Sequence, residues 1–536
     1  MNNKDAFRKS IRMAILAIAC LIGIFCQTAV AQSLQKFGDL AEGPYKKLVI
    51  HNIMVIPGHG GPIVGPYEVT IEGNMITGMT PFDPVAAERR GETSRATGDR
   101  IIDGSGKYLM PGMIDLHMHL RRQPMEIEYV YYLKLAHGVT TLVPAPDRGL
   151  DAAMEQAKLS NENKILAPRM FPIWGWGRGM NYARADLENP ANAPKIAREM
   201  AAKGAHVVSV GNLGWSPELF GAVCKAVYAA GGITTVHLPP STNAVVHAVD
   251  AARLGVTMIE HHYAYAEASL DRNVQDFPRE YNYNDENERF RHAGKVWLEA
   301  NKERLLSEVA DSLVAYGVTM LPTRVVYEAN RDIVRAQSLP WHEKYTHQAL
   351  INWNLPNPAF HGSYHYDWTS DDEYYWSYAF RLWGDLIYAF NKRGGRVAYG
   401  TDDNYIWATP GISNIRELQL LRETGLHSLE VIKAATYNSA KTLRQPKLGL
   451  VRPGYIADLV IVDGNPLYNL RFMYAFGALT RNKDGEMYRT AGIVHTIKDG
   501  VVIENKRLME EVAKMVAKSR QGVGPDVVTK PFMVKE

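Results

Sequence analysis

Between Gly112 and Leu443, short β-rich runs alternate with helical stretches, and this alternation constrains the chain more than any other feature. The candidate strands are "MIDLHMH" from Met113, "VTTLV" from Val139, "MFPIW" from Met170, "HVVSV" from His206, "TTVH" from Thr234, "TMIEH" from Thr257, "VTMLP" from Val318 and "VAYGTD" from Val397. Stretches such as "ELFGAVCKAVYAAGG" and "NAVVHAVDAARLG" lie between them. Eight strands alternating with helices predict a (β/α)8 barrel. In such barrels the chemistry sits at the C-terminal ends of the strands.

The strand ends are where the unusual residues fall. "GMIDLHMHL" is an apolar run interrupted by His117 and His119. At period two their side chains point the same way, so both can grip one ion. Taken alone, the pair could equally be hydrogen-bonded core histidines. The fifth strand ends in His237, the sixth in His261 and the eighth in Asp402. Imidazole and carboxylate together suit zinc, iron or manganese. Packing gives no reason to place five such groups at four strand ends.

In these blocks the chain resembles the amidohydrolase superfamily, especially its imidazolonepropionase-like and prolidase-like members. The resemblance is carried by "GKYLMPGMIDLHMHL", "AHGVTTLV", "IEHH", "YGTDD", "AATYNSAKTL" and "LGLVRPGYIADLVIVDGNPL", in order, and covers most of residues 47–503. It implies a small β-sandwich formed by the segments flanking the barrel, which takes in His51, His59 and His495. The implied division is a signal peptide over 1–31, the sandwich over 32–110 and 444–504, the barrel over 111–443, and a C-terminal helix and tail over 505–536.

The resemblance also implies a ligand set. Many two-metal members carry a bridging lysine at the end of strand four, where this chain has Ser209. One divalent ion, zinc, held by His117, His119, His237 and Asp402 is therefore expected. His261 would bind substrate, or a second ion if one is present. Zinc lowers the pKa of water from about 16 to about 7. Asp402 would take that water's proton, and His261 would steady the oxyanion. Asp403 and His262 are adjacent decoys without a role in this reading, so Asp403→Asn is expected to matter little.

The implied activity is hydrolysis of a C–N bond in an amide, dipeptide, N-acyl amino acid or cyclic amide. Deamination of an amino-heterocycle and a non-catalytic binding role remain open. Two long insertions, one after His261 and one over residues 341–388, should rise over the catalytic mouth. The second is dense in Trp, Tyr and His. It is either a wall for an aromatic or apolar substrate group, a homo-oligomer interface or a packed lid. Arg178 and Arg324 are candidate partners for a substrate carboxylate. The net charge of +3 gives no reason to expect a nucleic-acid partner.

The first 31 residues stand apart. Lys4, Arg8, Lys9 and Arg12 precede "AILAIACLIGIF", and "AVA" ends at Ala31. That order is a secretory signal, implying a periplasmic or extracellular protein. Cys20 and Cys26 leave with it, so the mature chain keeps Cys224 alone and has no internal disulfide. N-terminal sequencing of the exported protein is expected to begin at Gln32. A cytoplasmic chain with Met1 intact would overturn this.

Overall fold

The computed structural model describes residues 37–91, 97–120, 124–147, 149–214, 216–239, 245–270, 279–282, 285–355, 357 and 364–521. The signal segment lies outside them. Nine short strand segments, two of them separated only by Phe171 and Pro172 and the rest by helical stretches, all pair in parallel. Met113–His119, Val139–Ala145 and Arg169–Met170 form one ladder. Ile173–Gly175, Val207–Ser209, Ile233–Val236, Met258–Glu260, Thr319–Leu321 and Arg396–Val397 form a second, in that order. The gap between the ladders contains Pro172, which has no amide hydrogen to donate.

The last strand returns to the first. Leu116 N–H donates to the Tyr399 carbonyl at 2.9 Å. The amides of Thr401 and Asp402 both donate to the His117 carbonyl, at 3.0 and 2.7 Å. Regular strand geometry holds only for Arg396–Val397, shorter than the expected "VAYGTD". The chain then turns, with φ of 52° at Asp402 and 70° at Asn404.

A buried clasp holds these strands together. Lys134, on helix Ile127–Ala136, donates to Asp115 at 2.8 Å, Asp403 at 2.7 Å and Asn414 at 2.9 Å. Asp115 also accepts from Thr401 N–H at 3.0 Å and Thr401 Oγ1 at 2.7 Å. A buried ammonium is tolerated because two carboxylates and an amide oxygen surround it.

The flanking segments build one nine-stranded, hydrogen-bonded sheet. Leu459–Asp463 pairs antiparallel with Lys107–Pro111, joining the two flanks directly. Ile50, Ile53, Val69 and Leu109 from one flank share an apolar cluster with Leu459, Ile461, Ile497 and Val502 from the other. Helix Asn505–Ser519 then docks on helix Ile127–Ala136, with Asn505 donating to the Ala136 carbonyl at 2.9 Å. Among the described residues, no helix is long and apolar enough to cross a membrane.

The insertions form a packed lid. Helix Glu286–Glu299 lies against the 23-residue helix Ser370–Lys392, and Trp376 donates to the Phe290 carbonyl at 2.9 Å. Trp376 and Trp383 are each 1% exposed, so these aromatics of the 341–388 insertion are core. Its histidines are engaged: His342 with Thr346, His347 capping helix Gln348–Asn354, and His365 with Asn330. His361 lies outside the described residues.

Gly112 shows why the first strand is entered through "PGM". A Cβ there would lie 2.2 Å from Thr140 Oγ1 and 2.4 Å from its Cγ2, and Thr140 is 1% exposed. Gly112→Ala is expected to destabilise the fold by about 1–3 kcal/mol, the usual cost of overpacking. A urea melt would read this, and an unchanged midpoint would sink the close-approach argument.

Candidate functional site

Five of the sequence candidates meet at the C-terminal ends of the parallel strands. His117, His119, His237, His261 and Asp402 all line one cavity of about 340 Å³. Asp402 is its hub. One carboxylate oxygen lies 3.3 Å from His117 Nε2 and 3.0 Å from His119 Nε2, and the other lies 3.6 Å from His261 Nδ1. Two overlapping groups have ligand atoms within 4.8 Å of one another: His117, His261 and Asp402, and His237, Glu260 and His261. Ser209 also lines the cavity, so no lysine stands there.

The ends of the strands turn sharply to present these groups. His261, Thr323 and Asp402 have φ of 65°, 51° and 52°. For residues other than glycine such conformations cost of order 1–3 kcal/mol each and cluster at functional sites. Thr323 is part of the design: its Oγ1 lies 2.7 Å from His261 Nδ1 and fixes that ring.

Two carboxylates missed in the sequence orient the histidine pair. Glu260 Oε1 lies 3.1 Å from His117 Nδ1, and Asp147 Oδ2 lies 2.9 Å from His119 Nδ1. With a carboxylate beside each Nδ1, each ring turns its Nε2 toward Asp402. Such outer partners set the tautomer of metal-bound histidines. Glu260 was legible as an acid within the apolar run "TMIEH"; nothing in "APDRG" singled out Asp147. Thr235 Oγ1 in turn donates to Glu260.

Electrostatics agree with this layout. Burial alone would lower His119, but Asp147 and Asp402 outweigh it and raise its pKa to about 9. Burial would raise Glu260, yet His117 and His261 bring it down to about 2. Asp402 is likewise held well below the ordinary range by His117 and His261, against its burial. His237 and His261 are pushed down by burial to about 3 and about 4, so both keep free lone pairs at neutral pH. Against its burial, Glu260 and Asp402 hold the His117 pKa well above its ordinary value, so protons on the Nε2 atoms of His117 and His119 meet Asp402. A divalent ion would stand in for those protons, and the donor set fits one.

The remaining candidates lie elsewhere. Arg178 is exposed and does not line the cavity. Arg324 is 3% exposed, with its guanidinium 3.9 Å from the Phe380 ring centre and donating to the Phe380 carbonyl. It faces the lid, because Thr323 turns the chain away from the mouth. The arginine that does line the cavity is Arg289, from the first insertion, beside Phe290, Tyr263, Tyr327 and Tyr405. His262 sits among Tyr263, Tyr327 and Trp376, with ring centres 4.1–4.8 Å away. Asp403 is no bystander, because it neutralises Lys134.

Residues 385–503 match the Amidohydrolase family. Adenine deaminase 2 of Rhizobium etli is 31% identical over 174 residues, which is 31% of this chain and 28% of that protein. Ochratoxinase of Aspergillus niger is 35% identical over 106 residues, which is 19% of this chain and 21% of that protein. These matches span under a third of the relatives' own length. In solved structures, a Xaa-Pro dipeptidase with bound methionine superposes with a TM-score of 0.55 at 19% identity, covering 85% of this chain and 100% of that one. The ochratoxinase crystal structure superposes at 0.52 and 17% identity, covering 85% and 95%. The C-terminal part of the chain thus matches the Amidohydrolase family, and the chain as a whole shares the fold of these prolidase-like solved structures.

The two adjacent aspartates separate chemistry from structure. Asp402→Asn is expected to keep the fold and lose about 10²–10⁴-fold in turnover, the usual worth of general acid–base assistance. Asp403→Asn is expected to unfold more easily, since breaking a buried pair costs about 3–5 kcal/mol. Paired melts and assays test this. A stable, inactive Asp403→Asn beside an active Asp402→Asn would move the site by one residue.

Proposed function

We propose that this protein is an exported, metal-dependent amidohydrolase that cleaves a C–N bond of a small molecule. The observation that carries the reading is the convergence of His117, His119, His237 and His261 on Asp402, with carboxylates behind the first two rings. We read the parallel strands as a closed (β/α)8 barrel over residues 111–443, supported by the return of residues 399–403 to the first strand. The proposed division adds a signal peptide over 1–31, flanking segments over 32–110 and 444–504, and a C-terminal helix and tail over 505–536.

His117, His119, His237 and Asp402 would hold one zinc ion, and His261 would join if a second bound. The ion, when bound, supplies Lewis-acid polarisation of a carbonyl and acidifies water. Asp402 accepts the proton of the attacking water and delivers it to the leaving nitrogen. His261, steadied by Thr323, faces the developing oxyanion. Arg289 takes the carboxylate-binding role first considered for Arg178 and Arg324. Tyr263, Phe290 and Tyr327 offer an apolar wall for an aromatic or aliphatic group.

Two observations support other readings. The likeness to adenine deaminase 2 favours deamination of an amino-heterocycle. The two overlapping ligand groups favour a second ion, against Ser209 in the bridging place. One experiment addresses all three. The mature protein is analysed for metal, then screened with dipeptides, N-acyl amino acids, cyclic amides and amino-heterocycles. About one transition ion per chain and release of an amine from an amide are expected. Two tightly held ions would end the one-ion reading. Ammonia from heterocycles alone would make it a deaminase, and a metal-loaded protein inert to every class would be a binding protein.

A further inference from the structure

We propose that the protein carries a second small-molecule site, separate from the histidine cavity, that binds a planar aromatic anion. The site is a cavity of about 620 Å³, within the range of ligand pockets, and it shares no lining residue with the histidine cavity. Its walls come from two distant stretches, residues 340–345 of the second insertion and residues 469–489 of the C-terminal flank.

Four rings form the apolar wall. Tyr345 and Tyr474 each stack on Phe476, with centres 5.8 and 5.0 Å apart and planes within 7° and 11°. Trp341 lies 6.0 Å from Tyr474. Tyr474 is 4% exposed and anchors the pile, whereas Trp341, Tyr345 and Phe476 are only half-buried. A parallel pile left partly open is a surface on which another flat ring can stack.

The charge around it has one sign. Lys344, Arg471 and Arg489 line the cavity, and no carboxylate does. Among the described residues, none of the three forms an ion pair. Lys344 Nζ lies 5.4 Å from the Tyr345 ring centre, and Arg489 donates to the Gly477 carbonyl at 3.3 Å. Three cations held together without a counter-ion repel one another. An anion relieves that repulsion, and guanidinium and ammonium groups are the usual partners of carboxylate, sulfonate and phosphate. Rings and charge together select a ligand that is both flat and negative. The neighbouring hairpin exposes Leu479 and Met487 at 59% and 66%, which makes a second copy of this chain the competing occupant. A second copy would have to bring its own acidic groups to the three cations.

The test is calorimetric titration of the full mature protein with 2-naphthoate as the probe. Binding of one naphthoate per chain is expected, weakening as salt is raised. The Lys344→Gln/Arg471→Gln double variant, both of whose sites are exposed, should bind at least tenfold more weakly, while Asp402→Asn should bind as wild type does. Cyclohexanecarboxylate, which lacks the ring system, and 2-naphthylmethylamine, which reverses the charge, should each bind at least tenfold more weakly than naphthoate. The proposal is overturned if naphthoate binding survives the double variant, disappears in Asp402→Asn, or is matched by the amine. It is also overturned if sedimentation shows a dimer that the double variant abolishes and naphthoate is not taken up.

Discussion

Much of this protein depends on one buried ammonium group. Lys134 draws Asp115 of the first strand, Asp403 just past the last strand and Asn414 of helix Ile412–Glu423 to a single point. Because Asp403 is held there, the preceding residue, Asp402, faces the opposite way, toward His117 and His119. A charge with no direct contact to the cavity thus sets the register on which the cavity depends. Replacing the clasp with apolar residues could preserve stability, but it would remove the constraint that aims Asp402.

The cavity itself is built in two layers. Histidine nitrogens and the Asp402 carboxylate form the inner one, and Glu260, Asp147 and Thr323 hold the rings from behind. Burial and charge act in opposite directions on its members. His237 and His261 are kept neutral by burial, and Asp402 and Glu260 are kept ionised by the imidazoles around them. A site that contains neutral donors and permanent anions is prepared for a cation.

Above the cavity, the two insertions stabilise each other more than they decorate the mouth. Trp376 reaches from one to the other and seats against Gly294, where even a methyl group would lie 2.7 Å from its ring. Arg324 and Glu417 are buried beneath this lid, and burial pushes the Glu417 carboxyl up to about 8. Among the described residues of the stretch 271–299, Arg289 and Phe290 reach the cavity wall.

The sequence by itself determined the alternation of strands and helices, the strand-end positions of His117, His119, His237, His261 and Asp402, and the family those blocks resemble. These are local properties: strand period, apolar runs and residue chemistry are written in consecutive letters. Tertiary structure alone decided which groups stand behind those side chains. Asp147 and Glu260 meet the histidine pair from other strands, Lys134 claims Asp403 across 269 residues, and a left-handed turn at Thr323 sends Arg324 into the lid. Such outcomes depend on how distant segments pack and on a few φ angles at strand ends, and neither leaves a periodic signature in the chain. The aromatic run at 341–388 read equally well as wall, interface or core, because burial is a property of the assembled fold and not of composition.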